Sequence, residues 1–193
     1  MTTDNIAAAV LYEIEASGKD FLLVAIDGRC GSGKTTLAQK LQSLCDCSVI
    51  HMDHFYPRME QRTAARLAEP GGNLDRERFL EEVMLPLKRR DAFLYRPYVP
   101  WEQRMGEPIR IEPRRVNILE GSYSCHPELY DSYDLRVFLT VDSAEQIRRI
   151  RQRNGEDGLA QFREKWIPME ERYFSAFGIP ERCDMCFDTS EGI

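Results

Sequence analysis

The chain has no excess of positive charge. Its 193 residues carry 26 lysines and arginines against 32 aspartates and glutamates, a net charge of −6, so it offers no general attraction to nucleic acid or to an anionic membrane surface. No apolar run reaches the length that spans a bilayer. The first segment is not a secretory signal either, since Glu13 and Glu15 interrupt its apolar stretch. It predicts an amphipathic helix with Ile6, Val10, Leu11 and Ile14 on one face, stopped by Gly18. The expected compartment is the cytoplasm. Internal repeats and low-complexity segments are absent. Among the six cysteines, Cys183 and Cys186 form a C-x-x-C, but the closest candidate partners, Cys45 and Cys47, are spaced poorly for zinc. Free thiols used as small apolar residues are the better reading. The length suits one α/β domain over residues 1–193.

Against these absences stands one strong signal, from Phe21 to Thr36. A run of buried-strand character leads into a glycine-rich loop and then a helix. Gly28, Gly33, Lys34 and Thr35 fit the phosphate-binding pattern G-x-x-x-x-G-K-T/S in the context it needs. Glycines let successive backbone N–H groups turn inward as an anion nest, and the helix N-terminus adds its positive dipole end. The expected nucleotide contacts are Gly28, Cys30, Gly31, Ser32, Gly33, Lys34, Thr35 and Thr36. Lys34 supplies a point charge for the β- and γ-phosphates, and the Thr35 hydroxyl suits a Mg²⁺ ligand. Cys30, inside the loop, is oxidation-sensitive if its thiolate is stabilised there.

Short β-branched segments alternate with helical ones along the chain, the signature of a parallel sheet with crossover helices. Strands are predicted at Phe21–Ile26, Ser48–Met52, Val116–Leu119, Leu135–Val141 and Met185–Phe187. The helix after the phosphate loop presents Leu37, Leu41 and Leu44 on one face. A second helix spans Asp75 to Arg89 with Phe79, Leu80, Val83 and Leu87 inward, and Pro86 is expected to kink it or end it early. Residues 91–115 are rich in proline and aromatics and read as an inserted β-hairpin arm. Its aromatic side chains form either a small core or a stacking surface for a flat ligand. Residues 143–177 form a charged helical region in which arginine dominates and Asn154 to Gly158 interrupt the pattern, as in a mobile lid.

Ligands of open parallel sheets sit beyond the carboxyl ends of the strands. The second strand ends at Asp53 and the third at Glu120, so two carboxylates join the phosphate loop at one crevice. Phosphoryl transfer requires alignment, charge neutralisation and a destination for the acceptor's proton. Asp53 is the candidate base. Glu120 is placed to hold Mg²⁺ through water. Arg149 and Arg153, four apart on one helix face, are placed to reach the transferring group as a lid closes.

These residues resemble the uridine kinase-like branch of P-loop small-molecule kinases. GRCGSGKTT is similar to that branch's phosphate loop, Asp53-His-Phe-Tyr56 to its D-x-F-Y motif with the catalytic Asp, and Gly72-Asn-Leu-Asp75 to its N-F-D element, whose Asp binds the acceptor ribose. Leu119-Glu-Gly121 is similar to its E-G step, and residues 146–154 to the arginine-rich lid. The resemblance implies a three-layer fold with a five-stranded parallel sheet of order 2-3-1-4-5, an inserted arm and a helical lid. It implies ATP and Mg²⁺ as well, with catalytic roles for Lys34, Asp53, Arg149 and Arg153. The family's arm sequence carries an Asp and a His around the nucleoside, and Tyr95 to Arg104 keeps neither. Tyr98 and Arg104 survive as candidate substrate contacts beside Asp75, with Tyr56 and Tyr123 as further pocket residues.

The expected activity is transfer of the ATP γ-phosphoryl group to a small-molecule hydroxyl, first of all on a nucleoside such as uridine or cytidine. Another riboside, a pantothenate-like compound or a sugar is the alternative within the class. A nucleotide-dependent regulatory switch is the alternative outside it. A homo-oligomer is compatible with either.

Overall fold

The computed structural model describes residues 1–191. Helix α1 (Thr3–Ala16) precedes strand β1 (Leu22–Gly28), helix α2 (Lys34–Leu44) and strand β2 (Cys47–His51). Helices α3 (Ala64–Ala68), α4 (Arg76–Phe79) and α5 (Leu85–Arg89) lead to the arm strands β3 (Phe93–Tyr95), β4 (Tyr98–Val99), β5 (Arg104–Met105) and β6 (Ile109–Ile111). The remaining elements are β7 (Val116–Glu120), α6 (Pro127–Tyr130), β8 (Leu135–Thr140), α7 (Ser143–Gln161), α8 (Ile167–Phe177), α9 (Ile179–Arg182) and β9 (Met185–Asp188).

Five strands form one parallel sheet in the order β2-β7-β1-β8-β9, which is 2-3-1-4-5 once the arm strands are left out. Every residue of the central strand β1 is buried, as expected where helices cover both faces. Its alternation sends Leu22, Val24 and Ile26 towards α1 and α2, with Leu37 and Leu41. Leu23 and Ala25 face the other layer, with Phe55, Phe79 and Tyr173. Leu44 departs from its predicted face: it is 51% exposed, at the last residue of α2.

Pro86 does not end its helix. The segment runs from Arg76 to Arg89 through one wide π-turn at Leu80–Met84, where the Leu85 N–H reaches back to the Leu80 carbonyl. Proline lacks an N–H and its ring crowds the carbonyl four residues earlier, and a wider turn makes room for both defects. The same device recurs before Pro168, where a π-turn at Phe162–Trp166 leads into α8.

The arm is a nested antiparallel hairpin, β3 with β6 and β4 with β5. Its aromatics divide between the two sides of the arm. Phe93 and Tyr95 turn into the core, whereas Tyr98 and Trp101 line a surface cleft. Within residues 143–177, α7 breaks at Gly155, whose φ of 71° and ψ of −178° are not helical. Residues 151–157 are exposed. The ends of this region are fixed, however: Ile150 packs with Cys30, and Tyr173 is fully buried in the core.

Candidate active site

The loop between β1 and α2 is held open by positive φ at Gly28, Gly31 and Gly33, 141°, 76° and 93°. At Gly28 the requirement is absolute, because a Cβ would lie 2.1 Å from the Leu139 carbonyl oxygen of the neighbouring strand. Asp27, fully buried just before it, accepts hydrogen bonds from the N–H groups of Gly28 (2.7 Å) and Cys125 (2.8 Å) and from the Tyr173 hydroxyl (2.9 Å). Burial pushes its pKa up to about 6 despite these donors. Lys34 donates to the carbonyls of Gly28 (2.7 Å) and Arg29 (3.0 Å).

Asp53 enters the site on a 3₁₀ turn, Met52–Phe55, that follows β2. Buried Met52 and Phe55 pin this turn to the core. Gly121 permits the close approach, since a Cβ there would stand 2.8 Å from that of Met52. The turn thereby comes beside Glu120, at the end of β7. The Thr35 hydroxyl donates to Glu120 at 3.1 Å, and His51 Nδ1 meets the same carboxylate, which raises the His51 pKa. Asp53 is exposed to the open cleft but sits at depth, with the walls of both cavities around it. That depth, with Glu120 nearby, raises its pKa, while Lys34 and the Tyr56 hydroxyl oppose the shift. A carboxylate moved upward in this way gains strength as a proton acceptor.

Two adjoining cavities meet at this point. A phosphate cavity of about 270 Å³ is lined by Cys30, Gly31 and the run from Gly33 to Thr36, by Glu120 and Tyr123, and by Arg149 and Arg153. A larger cleft of about 810 Å³ lies between the arm and residues 154–166. Asp53, Tyr56, Phe162 and Trp166 line both.

Most of the sequence-predicted residues are therefore brought together: Lys34, Thr35, Thr36, Asp53, Glu120, Tyr56, Tyr123, Arg149 and Arg153 around the phosphate cavity, and Tyr98 in the cleft. Three substrate and redox expectations change. Asp75 lines neither cavity; it caps α4 and is engaged by Gln61 and Arg78. Asn73 of the same element faces the phosphate cavity instead, with a buried side-chain oxygen that has no partner. Arg104 is an exposed hairpin residue paired with Glu102 at 2.5 Å, outside both cavities. Cys30 is buried, with its thiol pushed well above the ordinary range by burial and by Glu170, so no thiolate is stabilised there. Of the loop glycines and serines, Gly28 and Ser32 stand behind the cavity wall while Gly31 and Gly33 line it. Arg149 is a clamp, donating to the Gly31 carbonyl (3.1 Å), the Thr189 carbonyl (2.6 Å) and Glu145 (2.7 Å). Among the described residues Arg153 hydrogen-bonds locally, to Asn154 at 2.8 Å, and its guanidinium carbon lies 5.6 Å from the centre of the Phe162 ring.

Sequence reasoning missed Glu170, whose carboxylate accepts from the Cys30 N–H (2.9 Å) and from the Ser122 hydroxyl (2.6 Å). A signal existed: Glu170 lies on the buried stripe of α8 with Met169, Tyr173 and Phe174, where a carboxylate needs a partner. Arg78 was missed too. It donates to the carbonyls of His54 (2.8 Å) and Arg96 (2.7 Å) and lies 4.3 Å over the Phe55 ring, tying the Asp53 turn to the arm. Tyr123, at φ 76°, holds a backbone conformation that costs a non-glycine residue about 1–3 kcal/mol, and its ring is fixed edge-on against Tyr173 at 5.0 Å.

A phosphate loop mounted between the first strand and helix of such a sheet defines the class: this is a P-loop nucleotide-binding protein with a small-molecule-kinase-like fold. More particularly, the chain belongs to the AAA_18 family of AAA domains, whose profile matches residues 24–167. Its fold is similar to that of a possible uridine kinase from Bacillus stearothermophilus, with a TM-score of 0.72 at 21% identity, covering 96% of this chain and 97% of that one. A candidate fructose transport system kinase from Silicibacter sp. TM1040 superposes with a TM-score of 0.69 at 21% identity, over 97% and 99% of the two chains. YFH7 from Saccharomyces cerevisiae, a circularly permuted P-loop protein, does so at 0.68 and 12% identity, over 99% and 100%. No helix among the described residues is long and apolar enough to cross a membrane.

Proposed function

We propose that this protein is an ATP- and Mg²⁺-dependent kinase acting on a hydroxyl group of a small molecule, with nucleosides the first acceptors to test. The observation that carries the proposal is the position of Asp53, the carboxylate shared by the phosphate cavity and the arm-walled cleft. An acceptor hydroxyl held in the cleft would meet both Asp53 and the γ-phosphate end of a nucleotide on the loop. Asp53 takes the hydroxyl proton as the acceptor oxygen bonds to phosphorus and the bond to the β–γ bridging oxygen breaks, releasing the nucleoside diphosphate. Lys34 and Arg153 balance the charge spread over the transferring group. The oxygen donors Thr35 and Glu120, 3.1 Å apart, fit Mg²⁺, which prefers oxygen ligands and retains water. Thr35 would bind it directly and Glu120 through water, and the ion bound there neutralises charge on the β- and γ-phosphates. Asn73 lines the phosphate cavity and not the cleft, and its side-chain oxygen is buried without a partner, so it is assigned no contact with the acceptor.

A walled cleft against the base supports transfer to an organic hydroxyl over a regulatory switch, which needs a residue that positions water and an exposed responsive loop. The test is a coupled ATP-consumption screen over nucleosides, ribosides, pantothenate and sugars. Acceptor-dependent ADP formation supports the reading; ADP formation that no acceptor stimulates favours hydrolysis and a switch.

A further inference from the structure

The acceptor cleft contains an unneutralised cation. Its lining includes Arg62 and, among the described residues, Asp53 as its one carboxylate. His54, the other titratable base in the wall, is kept neutral: burial and the charge of His51 lower its pKa to about 4. Arg62 is half-buried, and its guanidinium carbon lies 6.0 Å from the centre of the Trp166 ring. The Lys165 ammonium stands 4.6 Å from the same ring centre. Neither cation is within ion-pair distance of a carboxylate among the described residues, in a chain where acids outnumber bases. Burial and the nearby Arg62 both lower the Lys165 pKa, as expected of two like charges held together without a counter-ion.

A planar guanidinium on an aromatic shelf, open to a cleft, is suited to a carboxylate or a phosphate. Arg62 belongs to the cleft and not to the phosphate cavity, so its charge serves the acceptor and not the nucleotide. We infer that the acceptor carries an anionic group, which Arg62 binds over Trp166 while the reacting hydroxyl faces Asp53. This rests on the kinase reading for its geometry, but not for its charge.

Both tryptophans of the chain, Trp101 and Trp166, line this cleft, so intrinsic fluorescence reports on it. A Trp101→Phe background leaves Trp166 as the single reporter. The protein, loaded with Mg²⁺ and a non-hydrolysable ATP analogue, is titrated with three matched pairs: uridine and orotidine, pantothenyl alcohol and pantothenate, ribose and ribose 5-phosphate. The pairs separate carboxylate from phosphate recognition. At least one anionic member is expected to bind about 10- to 100-fold more tightly than its neutral partner, the range for one charged hydrogen-bonding contact. Arg62→Gln removes that preference and Arg62→Lys retains part of it, with affinity for the ATP analogue unchanged in both. Equal binding of neutral and anionic members overturns the inference. So does an unaltered preference in Arg62→Gln, the absence of binding by every anionic member, or an Arg62→Gln defect confined to the ATP analogue. ATP consumption with the same compounds separates the two readings. An anion that binds through Arg62 without being phosphorylated counts against the kinase, whereas turnover of a neutral acceptor indifferent to Arg62 counts against the charge.

Discussion

Replacing Asp53 by Asn changes one oxygen to an amide nitrogen and removes a negative charge from the junction of the two cavities. The turn that carries it is held by buried Met52 and Phe55, so the backbone has no reason to move. General-base assistance is worth about 10²- to 10⁴-fold, or about 3–5 kcal/mol of activation free energy, and kcat is expected to fall by that factor. Nucleotide affinity should not fall with it. Asp53 interacts electrostatically with Lys34, and removing the acid leaves more of the lysine's field for phosphate. The assay pairs coupled ADP release, measured with an acceptor that the wild-type protein turns over, with direct titration of a non-hydrolysable ATP analogue. The wild-type pH profile adds an independent check. Since the Asp53 pKa is raised from 3.8 by burial, activity should be lost on acidification at a pH above that value, and Asp53→Asn should lack this limb. Turnover within tenfold of wild type would remove Asp53 as the base. Loss of analogue binding would show instead that it builds the nucleotide site.

Lys34→Ala should weaken ATP-analogue binding and transfer together, by at least tenfold each, because the ammonium is both a phosphate contact and a neutralising charge; calorimetric titration and ADP release check the two. Gly28→Ala places a Cβ 2.1 Å from a backbone carbonyl, and overpacking of about 3 kcal/mol corresponds to a melting temperature lowered by roughly 10 °C in a chain of this size. Asp27 has its pKa raised from 3.8 to about 6 in the fold, so the native state binds more protons than the unfolded one between those values. Its contribution to stability is therefore full below pH 3.8 and declines by about 3 kcal/mol as the pH rises through 6, and Asp27→Asn should flatten that part of the stability profile measured by denaturant titration. Glu170→Ala strands the buried Cys30 N–H and should cost about 1–3 kcal/mol, whereas Glu170→Gln, which keeps an acceptor for that N–H, should melt close to wild type.

The sheet was legible because its strands are apolar and short and its phosphate loop has a fixed spacing; all five predicted strands occur, displaced by one or two residues at their ends. The ends of those strands delivered Asp53 and Glu120 for the same reason, since strand direction dictates where ligands gather. Of the two outcomes expected at Pro86, a kink or an early end, the second does not occur. A proline cannot donate to an α-turn and crowds the carbonyl four residues earlier, and at both Pro86 and Pro168 the preceding turn is a π-turn. The cleft was hardly legible, because Arg62, Tyr98 and Trp166 come from a loop, the arm and the lid region, and no local spacing relates them. Asp75 was misassigned because a motif gives order along the chain, whereas capping of α4 decides which of its residues turns inward.

The region predicted as a lid proves to be unequal along its length, and the difference follows from two residues three apart on α8. Tyr173 donates to Asp27, which also takes the Gly28 N–H at the mouth of the phosphate loop. One turn earlier, Glu170 takes the Cys30 N–H and the Ser122 hydroxyl. Helix α8 therefore holds Asp27 at the end of β1, Cys30 in the phosphate loop and Ser122 after β7, while Asp27 in turn takes the Cys125 N–H. An element so attached belongs to the loop's scaffold. On the proposed kinase reading, closure over an acceptor would draw on the stretch between Gly155, where α7 breaks, and the π-turn ending at Trp166, with Leu159 packed against Cys30 and Ile150. That stretch carries Phe162 and Trp166, the two lid-side walls common to both cavities. Closure there would bring Phe162 and Trp166 towards Asp53, while Asp27 and Glu170 keep the phosphate loop in place.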